Sequence, residues 1–224
     1  MDAVVRDIIA NAERLYADAI RMRTLGSHRT ASSLFILAME EAGKACLLRW
    51  VDHGYDRDKI FKELATGHIE KQLVYLAYVY VKCIRAVADI VPRAADHKQF
   101  DVKWKVGDNL REALAKEIYE RTDYHNGTLR TGLYDHVKQS GFYTDVKSDF
   151  TIADPAFKDG SISHVLEEDA RDAIAMARED QLTQSVLAAM YFNSTIIEPI
   201  SGKQRREMLP DIIERLSKRD WYNS

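Results

Sequence analysis

The 224-residue chain is poor in the residues that staple or interrupt a fold, with two cysteines, four prolines and ten glycines. Cys46 and Cys83 both sit in apolar runs, which excludes a disulfide scaffold and a cysteine-built metal centre and suits reduced core thiols. A basic excess is missing as well, the formal net charge being −3. Non-specific binding to nucleic acid or to a membrane surface is therefore not expected, and DNA and membrane are excluded as partners. No apolar run is long: Leu73 to Val81 covers about half a bilayer span. The first residues, Met1 to Asp7, lack a basic segment followed by an apolar one, so the expectation is a soluble, unexported, cytoplasmic protein. Glu-x-x-His and Asp-x-x-His pairs, the usual carboxylate metal ligands of helical bundles, do not occur, and neither does a Gly-Ser with spaced aspartates for nucleotide transfer. No metal and no cofactor are expected, although a nucleotide ligand stays open.

What the chain has in quantity is helical periodicity. Ile8, Ala12, Leu15, Ala19 and Met22 recur at four-three-four-three spacing, and Gly26 stops the run with Ser27 placed to cap the next helix. A second helix is expected over roughly His28 to His53, ending at Gly54, and a short one over Asp58 to Leu64. The third follows Thr66-Gly67, carries Ile69, Leu73, Leu76, Tyr80, Cys83 and Val87 on one stripe, and should end at Pro92. A polar connection to Gly107 leads into a fourth helix, about Asp108 to Leu129, that turns Leu110, Leu114 and Ile118 inward. Glycines and aromatics in residues 132–160 predict one long loop or a short hairpin over Leu133 to Val146. A long helix from about His164 to Tyr191 and a last one around Arg205 to Lys218 close the chain. The predicted fold class is all-α, a bundle of about six helices in a single domain over residues 1–224.

The second helix is unusual. Thr30 to Leu48 is apolar on nearly every side, as expected of a helix in the middle of a bundle, yet one turn carries Glu40, Glu41 and Lys44. An unpaired charge there would cost several kcal/mol, roughly 3–5. Lys44 reaches either glutamate at helical spacing, which leaves one negative charge over. Projected round the helix, Glu41 falls beside Leu34, Ala38, Ala42 and Ala45, whereas Glu40 and Lys44 lie toward a second face that holds Ser33. Gly43 costs about 1 kcal/mol in mid-helix and so marks the close approach of another backbone or a ligand. His68 and Lys71, three apart at the start of the third helix, are the bases that could meet this acid. A buried ion-pair network that fixes helix register and a functional site both remain open.

Three motifs in order carry a resemblance: Ala38-Met39-Glu40-Glu41-Ala42-Gly43-Lys44, then His68-Ile69-Glu70-Lys71, then Arg130-Thr131-Gly132-Leu133-Tyr134-Asp135. Over about Asn11 to Val146 the chain resembles the AbiV-type abortive-infection proteins of bacterial phage defence, with the helices of 164–218 packing on that region. It departs where Tyr134 is followed directly by Asp135 and His136, since the family usually has a valine between tyrosine and aspartate. The resemblance implies a HEPN-like helical bundle, a homodimer, arrest of the infected cell through translation and, in many HEPN proteins, metal-independent RNA cleavage by an Arg-x4–6-His pair. A phage-encoded trigger protein and RNA or the translation apparatus are the partners it implies.

That arginine-to-histidine spacing is met by Arg130 with His136 and by Arg21 and Arg23 with His28. With eighteen arginines and seven histidines, about two such pairs are expected by chance, so position must decide. Arg121 and His125 are one residue too close for the pattern but continue the stripe of Leu110, Leu114 and Ile118. On a face shared with a second subunit they could support in-line attack by an RNA 2′-hydroxyl, His moving protons and Arg holding phosphate. The Asn126-Gly127 turn signal favours a frayed, solvated end instead. Tyr134 has a structural alternative too, its hydroxyl reaching a buried carboxylate such as Glu41. Glu40, Glu41, Lys44, His68, Lys71, Arg130 and Tyr134 would then form one polar core, with Asp135 of uncertain role. Two classes stay open: an RNA-cleaving effector enzyme, and a non-catalytic toxin or sensor that binds a phage or translation-apparatus protein.

Overall fold

The computed structural model describes residues 3–52, 54–95, 127–128, 132–142 and 160–193. Seven helices are described: α1 Ala3–Thr24, α2 His28–Val51, α3 Arg57–Lys59 running into a π-helical turn at Ile60–Leu64, α4 His68–Ala95, α5 Leu133–Phe142, α6 Ser161–Arg178 and α7 Gln181–Asn193. The all-α expectation holds, and among the described residues there is no strand.

α2 is the axis of the bundle, packed by α1, α4, α5, α6 and α7. Its apolar residues lie on every side, and Phe35, Ile36, Met39, Leu47 and Trp50 are all fully buried. A helix that is hydrophobic all round can be stable in water only when neighbours cover each face. α1 covers one with Val5, Ile9, Ala12 and Ala19, while Ile8, Leu15 and Met22 pack at the margin. α1 ends as its sequence predicts: Gly26 has φ +77°, its N–H is donated to Arg23 O and that of Ser27 to Met22 O, the paired bonds of a Schellman stop. Ser27 does precede α2, but its hydroxyl meets Thr30 Oγ1 at 3.1 Å rather than capping a backbone N–H.

Four expectations are corrected. Leu133 to Phe142 is a helix and not a hairpin, because Leu133, Tyr134 and Val137 fall on one helical face and bury against the bundle. The long helix expected over His164 to Tyr191 is two: Asp180 Oδ1 accepts the Thr183 backbone N–H at 2.8 Å, an N-cap that starts α7 afresh. Arg49 reinforces the break by donating to Ala177 O and Glu179 O. α4 continues through Pro92 to Ala95, since a proline removes one backbone hydrogen bond without forbidding the turn after it. Its buried face is also rotated from the predicted stripe, for Ile69 is 45% exposed whereas Lys71, Gln72, Tyr75 and Tyr78 are buried. Most of the helix expected over Asp108 to Leu129, the one around Arg205 to Lys218, and the side chain of Cys83 lie outside the described residues.

Candidate functional site

Glu40 is 2% exposed, in the middle of α2, and faces the place where α4 and α5 converge. Its Oε1 accepts from Gln72 Nε2 at 3.0 Å and from Lys138 Nζ at 2.8 Å. His68 Nδ1 stands 2.7 Å from Oε2, and Lys71 Nζ is 3.9 Å from the same oxygen. The carboxylate thus accepts two hydrogen bonds and has an imidazole and a second ammonium beside it, all from two other helices. This is how a charge survives there, since desolvating it without partners would be far more costly than the pairing repays. Asp135 joins through Lys138, whose Nζ is 3.2 Å from Asp135 Oδ1.

The knot is built by helical spacing. Ser33 and Glu40, seven residues apart, lie two turns apart on one face of α2. Ser33 Oγ donates to Lys138 O at 2.9 Å and Glu40 holds Lys138 Nζ, so one lysine of α5 is gripped by backbone and by side chain. On α4, His68, Lys71 and Gln72 share the first turns and reach the same carboxylate. Gly43 permits the approach: a Cβ built there would lie 2.2 Å from Lys71 O and 3.0 Å from Lys71 C. The predicted close approach of another backbone is therefore that of α4.

Glu41 and Lys44 do not belong to this knot. Glu41 faces α1, where Asn11 Nδ2 donates to Oε2 at 3.3 Å, and Lys44 Nζ stands 3.9 Å from Oε1 at the protein's edge. The adjacent glutamates are divided between two interfaces, which corrects the expectation of a single polar core. Tyr134 is corrected likewise. Its hydroxyl does reach a buried carboxylate, but it is Asp169 on α6, at 3.2 Å, and Tyr75 of α4 donates to the other oxygen at 3.0 Å. Burial pushes the Asp169 carboxyl up to about 7, against the pull of the two tyrosine hydrogen bonds.

Of the predicted site residues, the structure brings Glu40, His68, Lys71 and Asp135 together and sets Glu41, Lys44 and Tyr134 in neighbouring contacts. Arg121, His125 and Arg130 lie outside the described residues, and His136 is on α5 with its side chain undescribed. Arg21 pairs with Asp18, and Arg23 with Glu167 and His164, while His28 meets Ser163, so those spacing matches form no arginine-histidine pair among themselves. Lys138, Gln72 and Asp169 were not anticipated. Lys138 alone carried a signal, three residues after Asp135 on what proves to be a helix. Chemically, the knot offers an imidazole that is 54% exposed, two carboxylates and two ammonium groups, able to hold an anion or a cation at its mouth.

Comparison with curated proteins and with solved structures finds no match. A family model, HEPN_AbiV, described as AbiV, matches residues 2–161, a span that holds α1 to α5 and every residue of the knot. The chain belongs to the AbiV family of HEPN proteins.

Proposed function

We propose that this protein is an abortive-infection effector of bacterial phage defence, which arrests the infected cell by blocking translation through metal-independent RNA cleavage in a homodimer. Family membership supports the defence role. The observation that carries the finer reading is the double grip on Lys138. It anchors α5, the helix that bears His136 and that follows Arg130 by way of Gly132. A catalytic group must be held to within fractions of an ångström, and a buried knot anchored two residues further along the same helix is a means of doing so. In the reaction, an imidazole takes the proton of an RNA 2′-hydroxyl as its oxygen attacks the adjacent phosphorus. A second copy of that imidazole returns a proton to the departing 5′-oxygen, leaving a 2′,3′-cyclic phosphate and a 5′-hydroxyl end, with arginine holding the phosphate.

The test uses purified full-length protein, with and without extract of phage-infected cells as the trigger, and total cellular RNA in chelator. Defined fragments with 5′-hydroxyl ends are expected, lost in His136→Ala or in His125→Ala according to which pair acts. Intact RNA with translation still halted would replace cleavage by a non-catalytic toxin or sensor. Unimpaired phage growth and translation in cells that express the protein would overturn the whole reading. Light scattering checks the dimer, which a monomer at micromolar concentration would remove.

A further inference from the structure

Glu40, His68 and Asp135 each offer one ligand atom, and these atoms lie within 4.8 Å of one another. Lys138 Nζ sits among them, 2.8 Å from Glu40 Oε1, 3.1 Å from His68 Nδ1 and 3.2 Å from Asp135 Oδ1. Two demands in this arrangement conflict. The 2.7 Å contact of His68 Nδ1 with Glu40 Oε2 needs a proton on Nδ1, whereas the contact with the ammonium needs a lone pair there. One nitrogen cannot do both. Asp135 Oδ1, moreover, is shielded from water and accepts no hydrogen bond among the described residues, its ion-pair partner being the Lys138 ammonium at 3.2 Å.

A metal ion that takes lone pairs from all three would meet both demands. We propose that Glu40, His68 and Asp135 form a binding site for a divalent transition metal of the Zn2+ class, in which the Lys138 ammonium is a built-in cation that the metal displaces. Imidazole with two carboxylates suits borderline ions such as Zn2+ or Co2+. A dication would take over the counter-charge that Lys138 supplies and release that side chain to solvent, with the Lys71 ammonium still 3.9 Å from Glu40 Oε2. Bonds of about 2.0–2.2 Å place tetrahedral ligand atoms about 3.4 Å apart, against present separations of up to 4.8 Å, so the outlying ligand atoms must shift to close round the ion. His68 is 54% and Asp135 34% exposed, which leaves both free to make that shift and opens a path for entry. The ligands come from α2, α4 and α5, which is why no short sequence spacing announces them.

The experiment titrates Zn2+ and Co2+ into chelator-stripped full-length protein, read by calorimetry and by the visible absorption of bound Co2+. One equivalent should bind. His68→Gln or Asp135→Asn should weaken it by more than the roughly tenfold to hundredfold that loss of an outer-shell partner costs, and Lys138→Met should tighten it about tenfold or more by removing the competing charge. Circular dichroism checks that each variant folds; should Lys138→Met not fold, the other two variants carry the test. Absence of binding by the wild type, binding by Lys138→Met alone, or binding that His68→Gln leaves unchanged would overturn the proposal. None of these readouts depends on RNA cleavage or growth arrest, so either reading can fail without the other.

Discussion

Replacing Gly43 by alanine pits two effects of opposite sign against each other. In a helix taken alone, alanine is better than glycine by about 1 kcal/mol. Here the added Cβ would stand 2.2 Å from Lys71 O and 3.2 Å from Lys71 Cα, both backbone atoms of α4 that no rotamer change can move. Carbon and carbonyl oxygen rest at about 3.3–3.6 Å, so α2 and α4 must part by about an ångström. Overpacking of a close-packed interior costs typically 1–3 kcal/mol, and a backbone clash belongs at the top of that range. The net loss is then about 2 kcal/mol, which in a chain of this size lowers Tm by roughly 4–8 °C. Thermal unfolding followed by circular dichroism measures it. A Tm that rises by a few degrees would show propensity winning, and would refute the close approach of Lys71 on which the geometry of the Glu40 knot depends.

Other perturbations bear on the charged turn and its neighbours. Glu40→Gln leaves Lys138 and Lys71 without their buried counter-charge and should cost about 3–5 kcal/mol, whereas Glu41→Gln, at a partly exposed pair, should cost under about 1 kcal/mol; equal losses in urea unfolding would contradict the division of the two glutamates. Asp169 is an acid whose carboxyl is raised to about 7 in the folded protein from an ordinary 3.8. The folded state therefore holds its proton more tightly, and the stability this confers is full below about pH 4 and lost as pH rises through about 7. With about 1.4 kcal/mol per pH unit the loss is about 4 kcal/mol, and Asp169→Asn should flatten unfolding free energy over that window; an unchanged slope would count against a buried titrating Asp169. Burial pushes the Cys46 thiol up to about 12, so it should resist iodoacetamide at pH 8 in the native protein and react on unfolding; rapid native labelling that Cys46→Ser abolishes would contradict its burial.

The sequence made the central helix legible because an all-round apolar pattern has one physical solution, and it made Gly43 legible because glycine in mid-helix needs a reason. It did not show where the two glutamates look. They are adjacent, so about 100° of helical rotation separates them, enough to send Glu40 to α4 and α5 and Glu41 to α1. The helix at Leu133 was hidden by Gly132 and Gly141, which read as loop punctuation. Gly132 is in fact the residue with φ +67° that turns the chain into α5. Asp169 was hidden differently: one carboxylate in a segment rich in acids looks solvated, and only the meeting of α4, α5 and α6 brings Tyr75 and Tyr134 to it. Those partners lie 94 and 35 residues away in the chain.

The polar groups of α2 answer a problem that its apolar surface creates. Hydrophobic burial is non-directional, so a cylinder greasy on all sides gains nearly as much when it slides or rotates among its neighbours. Each neighbour is instead fixed by a directional contact. Ser33 and Glu40 hold α5, Glu40 also holds α4, Glu41 meets α1, Arg49 takes the last carbonyls of α6, and Trp50 Nε1 donates to Gln184 of α7 at 3.1 Å. For Ser33, Arg49 and Trp50 such fixing is sufficient reason to be there. For Glu40 it is not, because a buried ion pair rarely adds net stability over well-packed apolar groups, and Gln72 alone could have supplied a neutral register lock between α2 and α4. The excess of charge at Glu40, with an imidazole and a second carboxylate beside it, is more than a register lock requires and is what the proposed metal site would use.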